Sequence, residues 1–175
     1  MTRFHRVSAL LVAATCAVGL SACSSSSSSS STGVPSDVAA KTANMKYCPT
    51  LVLAKKTGSA NQAKLPANPK SSDFASYLRT TQHDGLLVAD YLQAAAGKAP
   101  TSTLQKDTTK IAVSYRALAN AYGKAADTIA ARPSTSMTQA RTIVSSATSK
   151  ISTNSSSIQL ATAAVAKACP SLGSA

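Results

Sequence analysis

Residues 101–132, TSTLQKDTTKIAVSYRALANAYGKAADTIAAR, decide the fold. Within them Leu104, Thr108, Ile111, Tyr115, Leu118, Tyr122, Ala125 and Ile129 recur at alternating spacings of four and three. An α-helix brings such positions to one side, so the run reads as a long amphipathic helix with a single apolar stripe. Lys106, Lys110, Arg116, Lys124 and Asp127 all fall off that stripe. Pro100, Thr101 and Ser102 open the helix, and Pro133 closes it, because proline cannot continue the hydrogen-bond ladder.

The same pattern occurs on both sides. Upstream, Ser71 or Ser72 is placed to cap a second helix, whose stripe is Phe74, Leu78, Thr81, Gly85, Val88, Leu92 and Ala95. Tyr77, Leu87 and Tyr91 widen its apolar face, and Gly97 stops it. Downstream, Ser134 to Ser136 cap a last helix with Met137, Ala140, Val144, Ala147, Ile151, Asn154, Ile158, Ala161, Val165 and Ala168 in line. Asn154 is its one strongly polar member, and the serines around it favour a bend or fraying. Cys169-Pro170 ends it.

Before these lies a shorter, interrupted piece. Ser36-Asp37 can cap a helix over roughly 38–47; Pro49 interrupts it and can equally open the next, so that Thr50 to Lys56 form a second piece ending near Thr57-Gly58. Residues 59–70, with Pro66 and Pro69, read as a loop. The expectation is an all-α antiparallel four-helix bundle over 36–175 with a broken first helix. Its seams of Ala, Thr, Ser and Tyr allow close approach but bury little area per residue. The tyrosines read as core or as the lining of a groove, and the seven-residue spacing of Tyr115 and Tyr122 favours core.

The N-terminus carries a different message. Arg3 and Arg6 precede an apolar run from Val7 to Leu20, then Ser21, Ala22 and Cys23. A short basic segment, an apolar run and small residues form the layout of a secretory signal peptide. The run is shorter than the ~20 residues that cross a bilayer. Leu20-Ser21-Ala22-Cys23 resembles the bacterial lipobox at all four positions. The resemblance implies cleavage after Ala22, so that residues 1–22 are removed, and a diacylglycerol on the Cys23 thiol. It also implies further acylation of the new amine and a cell-membrane location on the extracytoplasmic face. Two or more acyl chains suffice for stable anchoring. Residues 23–35, dominated by Ser24 to Ser31, then form a tether with a mean reach of about 20 Å. The alternatives are an ordinary signal peptide with an incidental cysteine, or an uncleaved membrane helix.

The chain is strongly basic, with 18 Lys and Arg against 6 Asp and no glutamate. Without Arg3 and Arg6 the remaining 16 basic residues still exceed the 6 acids by 10. Such a balance favours anionic partners, which outside the cytoplasm are lipid headgroups or anionic envelope polymers. No basic run interleaved with aromatics points to nucleic acid. The absence of glutamate excludes a ferritin-like di-metal core. No haem-attachment motif occurs, and one histidine beyond residue 22 does not make a zinc site. No cofactor is therefore expected. His83-Asp84 is the only polar pair with catalytic character, but adjacent helical residues point away from each other. With no evident nucleophile, a non-enzymatic protein is expected.

Removing Cys16 with the leader and committing Cys23 to lipid leaves Cys48 and Cys169. An even count in an exported chain reads as a disulfide, and an up-down bundle brings the start of its first helix beside the end of its last. Two buried free thiols are the alternative. The whole layout is similar to a group of small actinobacterial lipoproteins. The shared features are Leu20 to Cys23, the serine run, Tyr47-Cys48-Pro49, Ala117 to Tyr122 and Ala168-Cys169-Pro170. That resemblance implies a tethered, Ala-rich helical domain and no particular mechanism. The expected role is binding or scaffolding of an envelope protein or polymer. The alternative is carriage of a small apolar ligand or lipid in the bundle core.

Overall fold

The computed structural model describes residues 33–60, 65–66, 68–149, 151 and 155–172. The leader 1–22, with the Leu20–Cys23 motif, and all but the last three residues of the expected tether 23–35 lie outside them. The described residues form an all-α helical bundle. Its helices are α1 (Ser36–Thr42), α2 (Tyr47–Ala60), α3 (Ser71–Ala96), α4 (Ser102–Ala130), α5 (Met137–Ser149) and α6 (Ser155–Ala168). A short 3-10 turn, Pro170–Leu172, follows.

Helices α3 and α4 are the frame. They run antiparallel, which the rungs between them show directly. Arg79 meets Asp127, Gln82 meets Gly123, Gly85 meets Ala119, and Asp90 meets Arg116. Close approach is possible because the contact is lined by small residues. A Cβ added at Gly85 would lie 3.0 Å from that of Ala119. Ala112, Ala119 and Ala126, seven apart on α4, are all buried and form a second inward face beside the Leu104–Ile129 stripe. Thus α4 is buried on more than one side: α3 packs along it, and α5 and then α6 pack on it in succession.

The termini of the helices correct several sequence expectations. The break in the first helix lies at 43–46, not at Pro49. Pro49 sits in the first turn of α2, where its missing N–H has no intrahelical acceptor to lose. Ser36 and Asp37 lie inside the first turn of α1 rather than capping it. Neither Ser71 nor Ser72 caps α3; instead the Asp73 carboxylate accepts from the Lys70 N–H at 2.9 Å. Thr101 caps α4 by accepting from the Leu104 N–H. Ser136 and Gln139 form a reciprocal capping box before α5. Asn154 falls outside the described residues, between α5 and α6. Ala168 is exposed, and Cys169 takes the inward position beside it.

A chain so rich in threonine and serine keeps its helices by satisfying hydroxyls locally. Thr42, Thr50, Thr57, Thr81, Thr108 and Thr148 each donate to the carbonyl four residues back. Such side chains are self-contained, so they can be buried without a tertiary partner.

The core is in two parts. One, at the end where α1 begins, gathers Val38, Tyr47, Leu51, Val88, Tyr91, Leu92, Ile111, Val165 and Cys169. The other, at the far end, gathers Phe74, Leu78, Tyr122, Ile129, Ala140 and Val144. The division follows from lengths: α2 has 14 residues and α3 has 26, about 21 Å against 39 Å. By Gly58, α2 has reached only as far as Val88. Beyond that point Leu65, from the following connection, packs on the far core.

Candidate functional site

The first place of interest is the end of the bundle that carries the chain's described start. Cys48, on α2, and Cys169, after α6, form a disulfide with Cα atoms 5.5 Å apart. Cys169 is fully buried. Among the described helices the larger contacts are α3 with α4, α2 with α3, and α4 with α5 and α6, and α2 also meets the 3-10 turn that follows Cys169. The disulfide therefore ties α2 to the segment after α6, whose 3-10 turn packs on α2. Lys55 Nζ adds a second link, donating to the Leu172 carbonyl at 2.6 Å.

The same end holds a polar cluster inside the core. Tyr47 is 6% exposed, and its hydroxyl is 2.7 Å from Thr108 Oγ1. Thr108 itself donates to the Leu104 carbonyl, so it is left to accept from Tyr47. Burial pushes the Tyr47 phenol above its usual range, and the Thr108 hydrogen bond offsets part of that rise. Tyr77 and Tyr122 are also raised, first by burial. Nearby, Lys98 Nζ donates to the carbonyls of Thr42 and Met45, holding the C-terminus of α1. A cation there also suits the negative end of the helix dipole. The Lys41 ammonium sits 5.8 Å from the Tyr91 ring centroid.

The second place is a groove of about 850 Å³ between α4 and α5. Its apolar lining is Ala117, Ala121, Ala125, Ile143, Ala147 and Ile151. Asn120, Lys124, Thr128, Thr142 and Ser146 supply polar groups, with Lys124 the one charged side chain among the described lining residues. The groove exists because α5 is thinly packed: Ala140 and Val144 are its buried residues. Sequence periodicity assigned Ala147 and Ile151 to the core stripe and did not single out Ile143. The signal that was available is Ile143 itself, an apolar residue off the stripe.

The remaining sequence candidates are not assembled into a site. His83 is exposed on α3, and Asp84 beside it is half-buried. Among the described residues, no three His, Cys, Asp or Glu side chains gather in a group that could hold a metal ion. Also among them, no helix is long and apolar enough to cross a membrane. Tyr47, Tyr91 and Tyr122 belong to the core, while Tyr77 and Tyr115 are half-buried at its margins. No protein-family model, curated protein or solved structure matches the chain.

Proposed function

We propose that this chain is an envelope lipoprotein: a helical domain held by acylated Cys23 on the extracytoplasmic face of a cell membrane, with a non-enzymatic binding or scaffolding role. The observation that carries the reading is the apolar run ending in Leu20-Ser21-Ala22-Cys23. The Cys48–Cys169 disulfide supports it, because such bonds persist in oxidising compartments. The domain's architecture is read as an antiparallel four-helix bundle. In it α1 and α2 make the broken first helix, α5 and α6 together make the fourth, and the disulfide closes the ring. The partner is an envelope protein or an anionic envelope polymer, which the basic balance of the chain favours. Nucleic acid is not among the expected partners.

The test is the mass of the protein extracted from membranes. A chain beginning at Cys23 and carrying diacylglycerol is expected, with Cys23→Ala moving the protein to the aqueous phase. An unmodified N-terminus upstream of Cys23 would overturn the reading. A second reading, carriage of a small apolar ligand or lipid, is favoured by the groove between α4 and α5. Native mass spectrometry after mild extraction should then show a retained adduct, and a clean apo mass counts against it.

A further inference from the structure

The groove between α4 and α5 has an internal order. On α4, Ala117, Ala121 and Ala125 recur every four residues and so form one line along the helix. Ala121 and Ala125 are buried. On α5, Ile143 and Ala147 form the corresponding line. Both are half-buried, packing against the far core and lining the groove as well. The floor is therefore apolar and continuous with the core.

Polar residues make the rims. Asn120, Lys124 and Thr128 form a second line on α4, and Thr142 and Ser146 form one on α5. All but the half-buried Thr128 are exposed. Thr128 and Thr142 donate to the carbonyls of Lys124 and Thr138, four residues back on their own helices. The donors offered to a ligand are therefore those of Asn120, Lys124 and Ser146. No carboxylate is among the described lining residues. Asp127, three residues from Lys124, is paired with Arg79 of α3. From Ala131 to Leu172 the chain contains no acid at all. The groove is therefore positive in sign, and Lys124 sets that sign.

We propose that the groove takes a single-chain amphiphile with an anionic head group. The alkyl chain lies on the alanine and isoleucine floor, and the carboxylate or phosphate pairs with Lys124 Nζ. The assignment rests on the reading of the chain as a carrier of a small apolar ligand or lipid, and it adds the head group to that ligand. A volume of about 850 Å³ falls in the range of small-molecule sites, which combine an apolar lining with a few polar groups. An uncharged ligand leaves Lys124 unused. A cationic one meets like charge, with no carboxylate in the described lining to offset it.

The experiment titrates dodecanoate, dodecyl phosphate and neutral dodecanol, each below its micelle-forming concentration, into the full chain carrying Cys23→Ser. That variant has no acyl group of its own to compete for the groove. Both anions are expected to bind at a single site, about fivefold more tightly than dodecanol. The tighter of the two names carboxylate or phosphate as the head group. Lys124→Gln should remove the preference for anions and leave dodecanol binding unchanged. Lys106→Gln, at an exposed lysine of α4 outside the groove, should change nothing. Ala117→Phe, at an exposed end of the floor, should weaken binding of all three while helical circular dichroism is retained. Dodecanol binding as tightly as the anions, or anion binding indifferent to Lys124→Gln, would overturn the head-group assignment and leave the carrier reading standing. Binding of none of the three would overturn both. Sedimentation velocity should give a monomer. A dimer dispersed by Ala117→Phe would instead place a second copy of the chain in the groove and overturn the proposal.

Discussion

At the scale of single residues, the most informative contact is the one between Tyr47 and Thr108. Thr108 is the polar exception in the first half of the α4 stripe, and the structure accounts for it. Its hydroxyl donates to the Leu104 carbonyl and accepts from Tyr47. The two partners are therefore not equivalent. Thr108→Val leaves the buried Tyr47 hydroxyl with nothing to bond and is expected to cost about 1–3 kcal/mol in chemical denaturation. Tyr47→Phe leaves Thr108 still bonded to Leu104 and should cost less than Thr108→Val. The reverse order would contradict this assignment of donor and acceptor. The raised phenols of Tyr47, Tyr77 and Tyr122 fix a direction for alkaline stability. Below the ordinary tyrosine value of 10.0 these groups are neutral in both states and add no pH dependence. Above it the unfolded chain loses protons that the folded chain keeps, so stability falls as pH rises through the folded values. Near-ultraviolet tyrosinate absorbance should therefore rise together with loss of helical circular dichroism. Full ionisation with the helices intact would refute it.

Among the elements, the pairing of α3 with α4 turns on how closely two backbones approach. Gly85→Ala should gain about 1 kcal/mol of helix propensity taken alone. Against this, the new Cβ would lie 3.0 Å from Ala119 Cβ, which is fixed to its backbone and cannot swing away. The expected outcome is net destabilisation, relieved by Ala119→Gly in a double-mutant cycle, with a coupling energy on the order of 1 kcal/mol. Absence of coupling would mean that the helices separate freely. This contact also marks the limit of what periodicity reveals. The stripe from Leu104 to Ile129 was legible because large apolar residues stand out against lysines. The second face, Ala112, Ala119 and Ala126, was not, since alanine is at home on either side of a helix. The first-helix break was legible in kind and displaced in position. Proline signals a boundary, but it does not say whether the boundary falls before it or at it.

For the molecule as a whole, all-α architecture followed directly from the sequence, and the functional surfaces did not. The groove between α4 and α5 depends on how loosely two helices meet, which neither helix encodes by itself. The disulfide, by contrast, was readable by elimination among four cysteines. The bond joins α2 to the segment after α6, so its loss should loosen that end of the bundle. Cys48→Ser with Cys169→Ser is expected to cost about 4–5 kcal/mol by loop entropy for a span of 121 residues. Urea unfolding of the double variant within about 1 kcal/mol of the parent would show that packing alone closes the bundle.

That bond also settles how the molecule would carry load. Tension entering from the N-terminal side meets α1 first, which Lys98 holds by two hydrogen bonds. It then reaches Cys48 and crosses directly to Cys169. The 121-residue span between them is mechanically short-circuited. Pulled between its two ends, the oxidised protein should release only the short segments outside the bond. After reduction the extension should grow by roughly 400 Å, the reach of that many residues. The helices are thus shielded from force in the line of the chain, whatever pulls on the far end.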